Sequence, residues 1–232
     1  MGRETMQIDM RVMELLASKL CHDLVSPVSA INNGVELIED IGGSVVPEAM
    51  KLIGDSGIKA ARRLRLYRMA YGQAGSESSL GVKDVRQIAE QYLADTKISL
   101  VWPENLALVN TEEHRGFLKV ILNLVVLAEE SLAYGGVITL HDAKGGEGGS
   151  VDGCRFEIVG RNASMNPAIQ AAFEGSVAVE ELSPRSIQAY LVGRFAEQFS
   201  FKLTHDQSIP DRLDLLLALK KSESEPLTVN IS

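Results

Sequence analysis

One short segment holds residue types able to do covalent chemistry: Cys21-His22-Asp23-Leu24-Val25-Ser26-Pro27. An imidazole, with an ordinary pKa of about 6.5, keeps a neutral, nucleophilic nitrogen at cellular pH. That suits it to carry a phosphoryl group reversibly. The neighbouring carboxylate of Asp23 can hold the other ring nitrogen and stabilise the charge that develops. Leu20 and Leu24 belong to an apolar helical stripe, and His22 lies two residues from each, about 200° around a helix. It is therefore expected to face solvent, with Ser18 and Ser26 as its i−4 and i+4 neighbours. An exposed histidine usually does nothing, so the combination has to carry the reading. Pro27 adds to it. Inside a continuous helix it costs about 3 kcal/mol and deprives the Asp23 carbonyl of its hydrogen bond. The alternative is that Ser26 caps a new helix with Pro27 at its first position.

The elements that must position His22 are legible in the periodicity. Met13, Leu16, Leu20, Leu24, Val28, Ile31, Val35 and Ile38 recur at steps of three and four, one face of a helix. Gly42 and Gly43 end it, and Pro47 opens a second helix, whose seam reads Val46, Met50, Ile53, Gly57, Ala60, Leu64, Tyr67 and Tyr71. The short connection makes the two antiparallel neighbours. Such a hairpin leaves half of its apolar stripe wet, so a second copy is expected to complete a four-helix bundle: a homodimer. Residues 72–79 are a polar, breaker-rich linker.

Beyond it the spacing predicts helices over 84–93, 112–134 and 184–199, the last capped by Ser183. Strands are predicted over 98–102, 106–109, 137–142, 154–159, 201–204 and 213–219, with Gly145 to Gly149 at a hairpin tip. The predicted fold is α+β, a helical hairpin followed by an α/β sandwich of helices on antiparallel strands. The predicted domains are residues 1–74, residues 80–221 and a loose tail, 222–232.

His-Asp-Leu-x-Ser-Pro resembles the phospho-acceptor box of sensor histidine kinases. The longer run from Leu20 to Ile38 more closely resembles the histidine phosphotransferases of the ChpT type. The resemblance implies that His22 is phosphorylated, that Asp23 is its acid/base partner, and that Ser26 positions groups around the phosphoryl centre. It also implies that the sandwich is a relative of the kinases' ATP-binding domain. The nucleotide motifs are missing from it. The kinase box Asn-Leu-x-x-Asn-Ala reads Asn123-Leu124-Val125-Val126-Leu127-Ala128, and a leucine cannot ligate magnesium, which demands oxygen. The Asp-x-Gly-x-Gly turn reads Arg161-Asn162-Ala163-Ser164-Met165, and the glycine-rich turn reads Ser183-Pro184-Arg185-Ser186-Ile187. Residues 145–149 have no Lys-Ser/Thr and no helix after them, so they do not replace a phosphate loop.

The expectation is a phosphotransferase that binds no ATP and no cofactor of its own, the magnesium belonging to a partner receiver domain. By resemblance the donor is the receiver of a hybrid kinase of the CckA type, and the acceptors are response regulators of the CtrA and CpdR type. Two other readings stand beside it: a non-catalytic dimeric adaptor and a divergent ATP-dependent kinase.

Bulk properties narrow the classes. The 232 residues are 45% hydrophobic, enough for real cores, and 5% aromatic, which fits a bundle of aliphatic side chains. A net charge of −8 disfavours nucleic acid and anionic membranes as partners. Cys21 and Cys154 are far apart, without metal-ligand spacing. The first residues carry no apolar signal core, and Met6 stands where a myristoylation signal needs Ser or Thr. A cytoplasmic, membrane-free protein is expected. Lys59, Arg62, Arg63, Arg65 and Arg68 form a basic flank that could steer an acidic receiver, or simply a solvated face, and Val25 could give such an interface a dry centre. Cys21 points about 100° away from His22 and shares no site with it. His114, His141 and His205 join no constellation, Asp9, Glu14 and Glu36 read as surface charges, and Trp102 reads as packing.

Overall fold

The structure, a computed structural model, describes residues 9–72, 81–104, 116–144 and 150–219. Its first element is a single helix, α1 (Met10–Asp40). Asp9 caps it by accepting a hydrogen bond from the Arg11 amide at 2.8 Å, which is worth about 1 kcal/mol and gives a role to a residue read as a plain surface charge. The helix runs straight through Pro27, whose ring is buried, so the two-helix alternative is not what forms. Gly42 and Gly43 make the turn with φ of 59° and 55°, a region that favours glycine. The second helix, α2 (Val46–Ala70), has Pro47 in its first turn. Where α1 and α2 cross, Gly34 is buried, and a Cβ there would meet Ile53 at 2.6 Å. The helices are this close because Gly34 has no side chain.

Within one chain Pro27 and Gly34 of α1 are buried, and Gly34 lies against Ala49 and Ile53 of α2. Met13, Val28, Val35, Met50 and Leu64, all assigned to the seams, are exposed. The apolar stripe is wider than one partner helix covers.

The remaining elements are α3 (Val82–Leu93), β1 (Ile98–Val101), α4 (Phe117–Glu130), β2 (Gly136–Lys144), β3 (Ser150–Val159), α5 (Pro167–Glu174), α6 (Ile187–Gln198), β4 (Phe201–Asp206) and β5 (Arg212–Leu219). Among the described residues the strands form a five-stranded sheet in the order β1-β2-β3-β5-β4. Ile138, Leu140, Phe156, Ile158, Leu213, Leu215 and Leu217 point to the helices and are buried. The alternate residues Arg155, Glu157, Arg212 and Asp214 pair with one another on the open face. Every residue of α4 from Phe117 to Ala128 is buried, as expected of a helix that is apolar nearly all round. Trp102 is buried, as packing requires.

Several details differ from the sequence expectation. β1 pairs with β2 in parallel, so the sheet is mixed. The helix over 167–174 was not foreseen; Asn166 caps it and Gly175 ends it in a left-handed conformation. The Ser183 side chain caps no helix. Residues 183–186 form a turn, and α6 begins at Ile187 with no side-chain cap. The expected strand over 106–109, the hairpin tip 145–149, most of the linker, the tail 222–232 and His114 lie outside the described residues. One hydrophobic cluster joins Leu15, Leu66, Tyr67, Met69 and Ala70 of the hairpin to Trp102, Phe117, Ile121 and Phe156 of the sandwich.

Candidate functional site

His22 stands in the middle of α1, and its side chain is 89% exposed. That exposure agrees with its angle from Leu20 and Leu24 around the helix. Its Nδ1 lies 3.4 Å from Asp23 Oδ1, which leaves Nε2 open to an incoming group. Ser26 is exposed one turn further along the same face, and Val25 is exposed beside it. Pro27 follows, and because it has no N–H the Asp23 carbonyl goes without its helical donor.

Asp23 turns inward and keeps only 19% of its side-chain exposure. Its Oδ2 accepts a hydrogen bond of 2.6 Å from the Tyr67 hydroxyl. The Lys19 ammonium lies 3.5 Å from it and the Arg63 guanidinium 3.9 Å. Burial alone would raise the Asp23 carboxyl. The Tyr67 hydrogen bond, Lys19, His22 and Arg63 outweigh it and hold the group below the usual aspartate range. Asp23 is thus a fixed, ionised carboxylate under the imidazole.

A surrounding set of charges holds these partners in turn. Lys19 forms an ion pair with Glu130 at the end of α4. Burial works against the Lys19 ammonium, yet Glu130, Asp23 and Glu129 prevail and keep it above the usual lysine range. Arg63 lies over the Tyr92 ring, 5.7 Å from its centroid, and the Tyr92 hydroxyl donates to Glu129 at 3.4 Å. Burial and the Asp23 bond push the Tyr67 hydroxyl far above the ordinary phenol, so it remains a donor.

Lys19 and Glu130 had no place in the sequence expectation, and Tyr67 and Arg63 entered it only as a seam residue and a member of the basic flank. Lys19 had a signal, since it stands four residues before Asp23, an i,i+4 pair on one helix. Tyr67 did not, because its place in the repeat is that of an apolar seam residue. The basic flank is partly committed: Arg62 pairs with Asp95 at 2.9 Å and Arg65 donates to Gln91 at 3.2 Å, both tying α2 to α3 and its C-terminal turn. Lys59 and Arg68 complete the five, the latter exposed.

Among the described residues no cluster of His, Cys, Asp and Glu suits a metal ion. In the same residues no helix is long and apolar enough to cross a membrane. His141 lies 3.0 Å from Glu157 on the open sheet face and His205 lies 3.9 Å from Glu174, both remote in the chain from His22. Cys21 is exposed and Cys154 is buried.

A family model described as the histidine phosphotransferase C-terminal domain matches residues 82–209. Protein phosphotransferase ChpT of Brucella abortus (strain 2308) is 31% identical over 193 residues, covering 82% of this chain and 87% of that protein. A solved structure described as a bacterial phosphotransferase at 1.7 Angstrom superposes with a TM-score of 0.70 at 25% identity, covering 92% of this chain and 98% of that one.

Proposed function

The chain belongs to the histidine phosphotransferase family, and from that premise we propose that it takes a phosphoryl group onto His22 from the phospho-aspartate of a receiver domain and hands it to another receiver, without binding ATP. The single observation that carries this reading is the pairing of an imidazole 89% exposed with an ionised carboxylate fixed beneath its Nδ1.

The chemistry follows from that pairing. The Nε2 lone pair attacks phosphorus in line with the acyl-phosphate bond. A P–N bond forms, the P–O bond to the aspartyl carbonyl breaks, and the carboxylate leaves with the electron pair. The imidazole retains its Nδ1 proton and becomes cationic. Asp23 faces that proton and stabilises the charge, and the next receiver aspartate reverses the step. Ser26, one turn along, is proposed to contact the phosphoryl oxygens. Magnesium is supplied by the receiver.

Two features of the sandwich support the absence of nucleotide chemistry. Leu127, at the position of the kinases' magnesium ligand, is buried. Asn123, the first asparagine of that box, has both amide hydrogens bound to the carbonyls of Ala70 and Lys119.

The exposed face formed by Val28, Val35, Met50 and Leu64 is proposed to pack against a second copy, giving a dimeric four-helix bundle. The partners to test first, on the family resemblance, are receivers of the CckA type as donor and of the CtrA and CpdR type as acceptors, in the cytoplasm. The test is incubation with a phosphorylated receiver. An acid-labile label should appear on the chain and vanish with His22→Ala, a change at an exposed position that leaves the fold intact. Label on His22→Ala, or label taken from ATP and magnesium alone, overturns the reading.

A further inference from the structure

Three polar side chains are sealed in the interior where the hairpin meets the sandwich. Asn123 and Gln188 are both 0% exposed and Lys119 is 6% exposed. All three converge on the end of α2, from Ala70 to the two residues that follow it. Asn123 Nδ2 donates to the Ala70 carbonyl at 2.7 Å and to the Lys119 carbonyl at 2.9 Å. Lys119 Nζ donates to the carbonyls of Tyr71 at 3.3 Å and Gly72 at 2.9 Å, and sits 4.7 Å from the centroid of the Phe195 ring. Gln188 Nε2 donates to the Asn123 backbone carbonyl at 2.9 Å and to its side-chain oxygen at 3.2 Å. The Gln188 side-chain oxygen in turn accepts from the Tyr71 hydroxyl at 2.6 Å.

The last carbonyls of a helix lack partners within it and carry the negative end of its dipole. A cation and an amide donor are therefore what the end of α2 needs, and α4 supplies both. Those acceptors are main-chain carbonyls that no substitution removes, so the donors contribute stability as well, and the directionality of their hydrogen bonds fixes one relative placement of the two elements. The set also reaches the site. Tyr71, held by Gln188, lies one turn of α2 beyond Tyr67, with ring centroids 5.7 Å apart, and Tyr67 holds Asp23.

We propose that Lys119, Asn123 and Gln188 are positioning residues that clamp the end of α2 to α4 and α6, so that the sandwich and the His22 face meet a docked protein partner at one fixed angle. The proposal rests on the reading that His22 receives its phosphoryl group from a protein. It makes the sandwich an orienting part of the transfer machinery, acting through the placement of α2 and without touching the reacting atoms.

The experiment uses the full chain and two phosphoryl donors. One is a small phosphoramidate, which reaches His22 with no docking; the other is a phosphorylated receiver domain. The variants are Asn123→Leu with Gln188→Leu, which removes both amides together, and Lys119→Met, which keeps the packing on Phe195 and removes the ammonium. Labelling by the phosphoramidate should stay within about twofold of the parent chain. Transfer from the receiver should fall about tenfold, roughly 1.4 kcal/mol, through a raised KM with the saturating rate retained. Lys119→Arg should restore it. If the double variant fails to fold, Lys119→Met carries the same comparison. Folded variants that take phosphate from the receiver as the parent does overturn the clamp, and so does an equal loss with both donors. A parent chain labelled by neither donor removes the phosphotransfer reading itself, and the proposal with it.

Discussion

Replacing Tyr67 with phenylalanine deletes one hydroxyl and leaves the ring packed. That hydroxyl donates to Asp23 Oδ2 at 2.6 Å. A hydrogen bond to an ionised acceptor is worth about 1.5–3 kcal/mol. Asp23 keeps 19% of its exposure, and Lys19 remains 3.5 Å away, so water and the ammonium take over part of the loss. The lower end, about 1.5 kcal/mol, is the expected cost in neutral solution. The sign of its pH dependence follows from the direction of the Asp23 shift. The folded carboxyl is held below its unfolded value. Its contribution is complete above the ordinary aspartate pKa of about 3.9 and fades as pH falls through the lower folded value. The difference between the parent and Tyr67→Phe should therefore be full at neutral pH and shrink in acid, where Asp23 is protonated in both. Urea unfolding at one fixed protein concentration measures it, so that the proposed association of two copies contributes equally to both curves. Label uptake from a phosphorylated receiver should fall alongside, by about tenfold if the whole loss reaches the transition state. A stability difference unchanged by acid, or none at neutral pH, would refute the view that Tyr67 acts through an ionised Asp23.

Pro27→Ala should restore an amide donor to the Asp23 carbonyl and raise helix stability by up to about 3 kcal/mol, less the packing of the buried ring. Thermal melting reads that gain, and label uptake should fall; uptake as in the parent would separate the proline from the site. Lys19→Met removes the cation between Asp23 and Glu130 and should cost about 3 kcal/mol near neutrality. Because the Lys19 ammonium is held above its ordinary range, the parent should lose this contribution only as pH rises through that raised value, while the variant lacks this loss; alkaline unfolding curves compare them. A Cβ at Gly57 would meet nothing within 4 Å inside one chain, so Gly57→Leu should fold, whereas a second copy packed on that face would be pushed off. Sedimentation should give a monomer, and a dimer unaffected by the substitution would move the association to another surface.

Periodic features can be read from residue order without any tertiary contact. Steps of three and four mark α1 and α2, and the apolar run marks α4, because the period of a regular backbone is written directly into side-chain order. The exposure of His22 was of this kind, as it needed only its angle from Leu20 and Leu24. The Lys19–Asp23 pair was equally local. Pairing between distant segments is not encoded by period. Pro27 was compatible with one helix or two, and its burial on a continuous α1 decided between them. Tyr67 and Arg63 come to Asp23 from α2, and Glu130 reaches Lys19 from α4, each identified only once the helices are packed. The parallel placement of β1 depends on the connection through α4, and the short α5 has too few residues to impose a period. Asn123 read as the remnant of a nucleotide box, yet its partners are backbone carbonyls of Ala70 and Lys119. A carbonyl carries no side-chain signature, so the role of a buried amide that binds one is settled by tertiary structure alone.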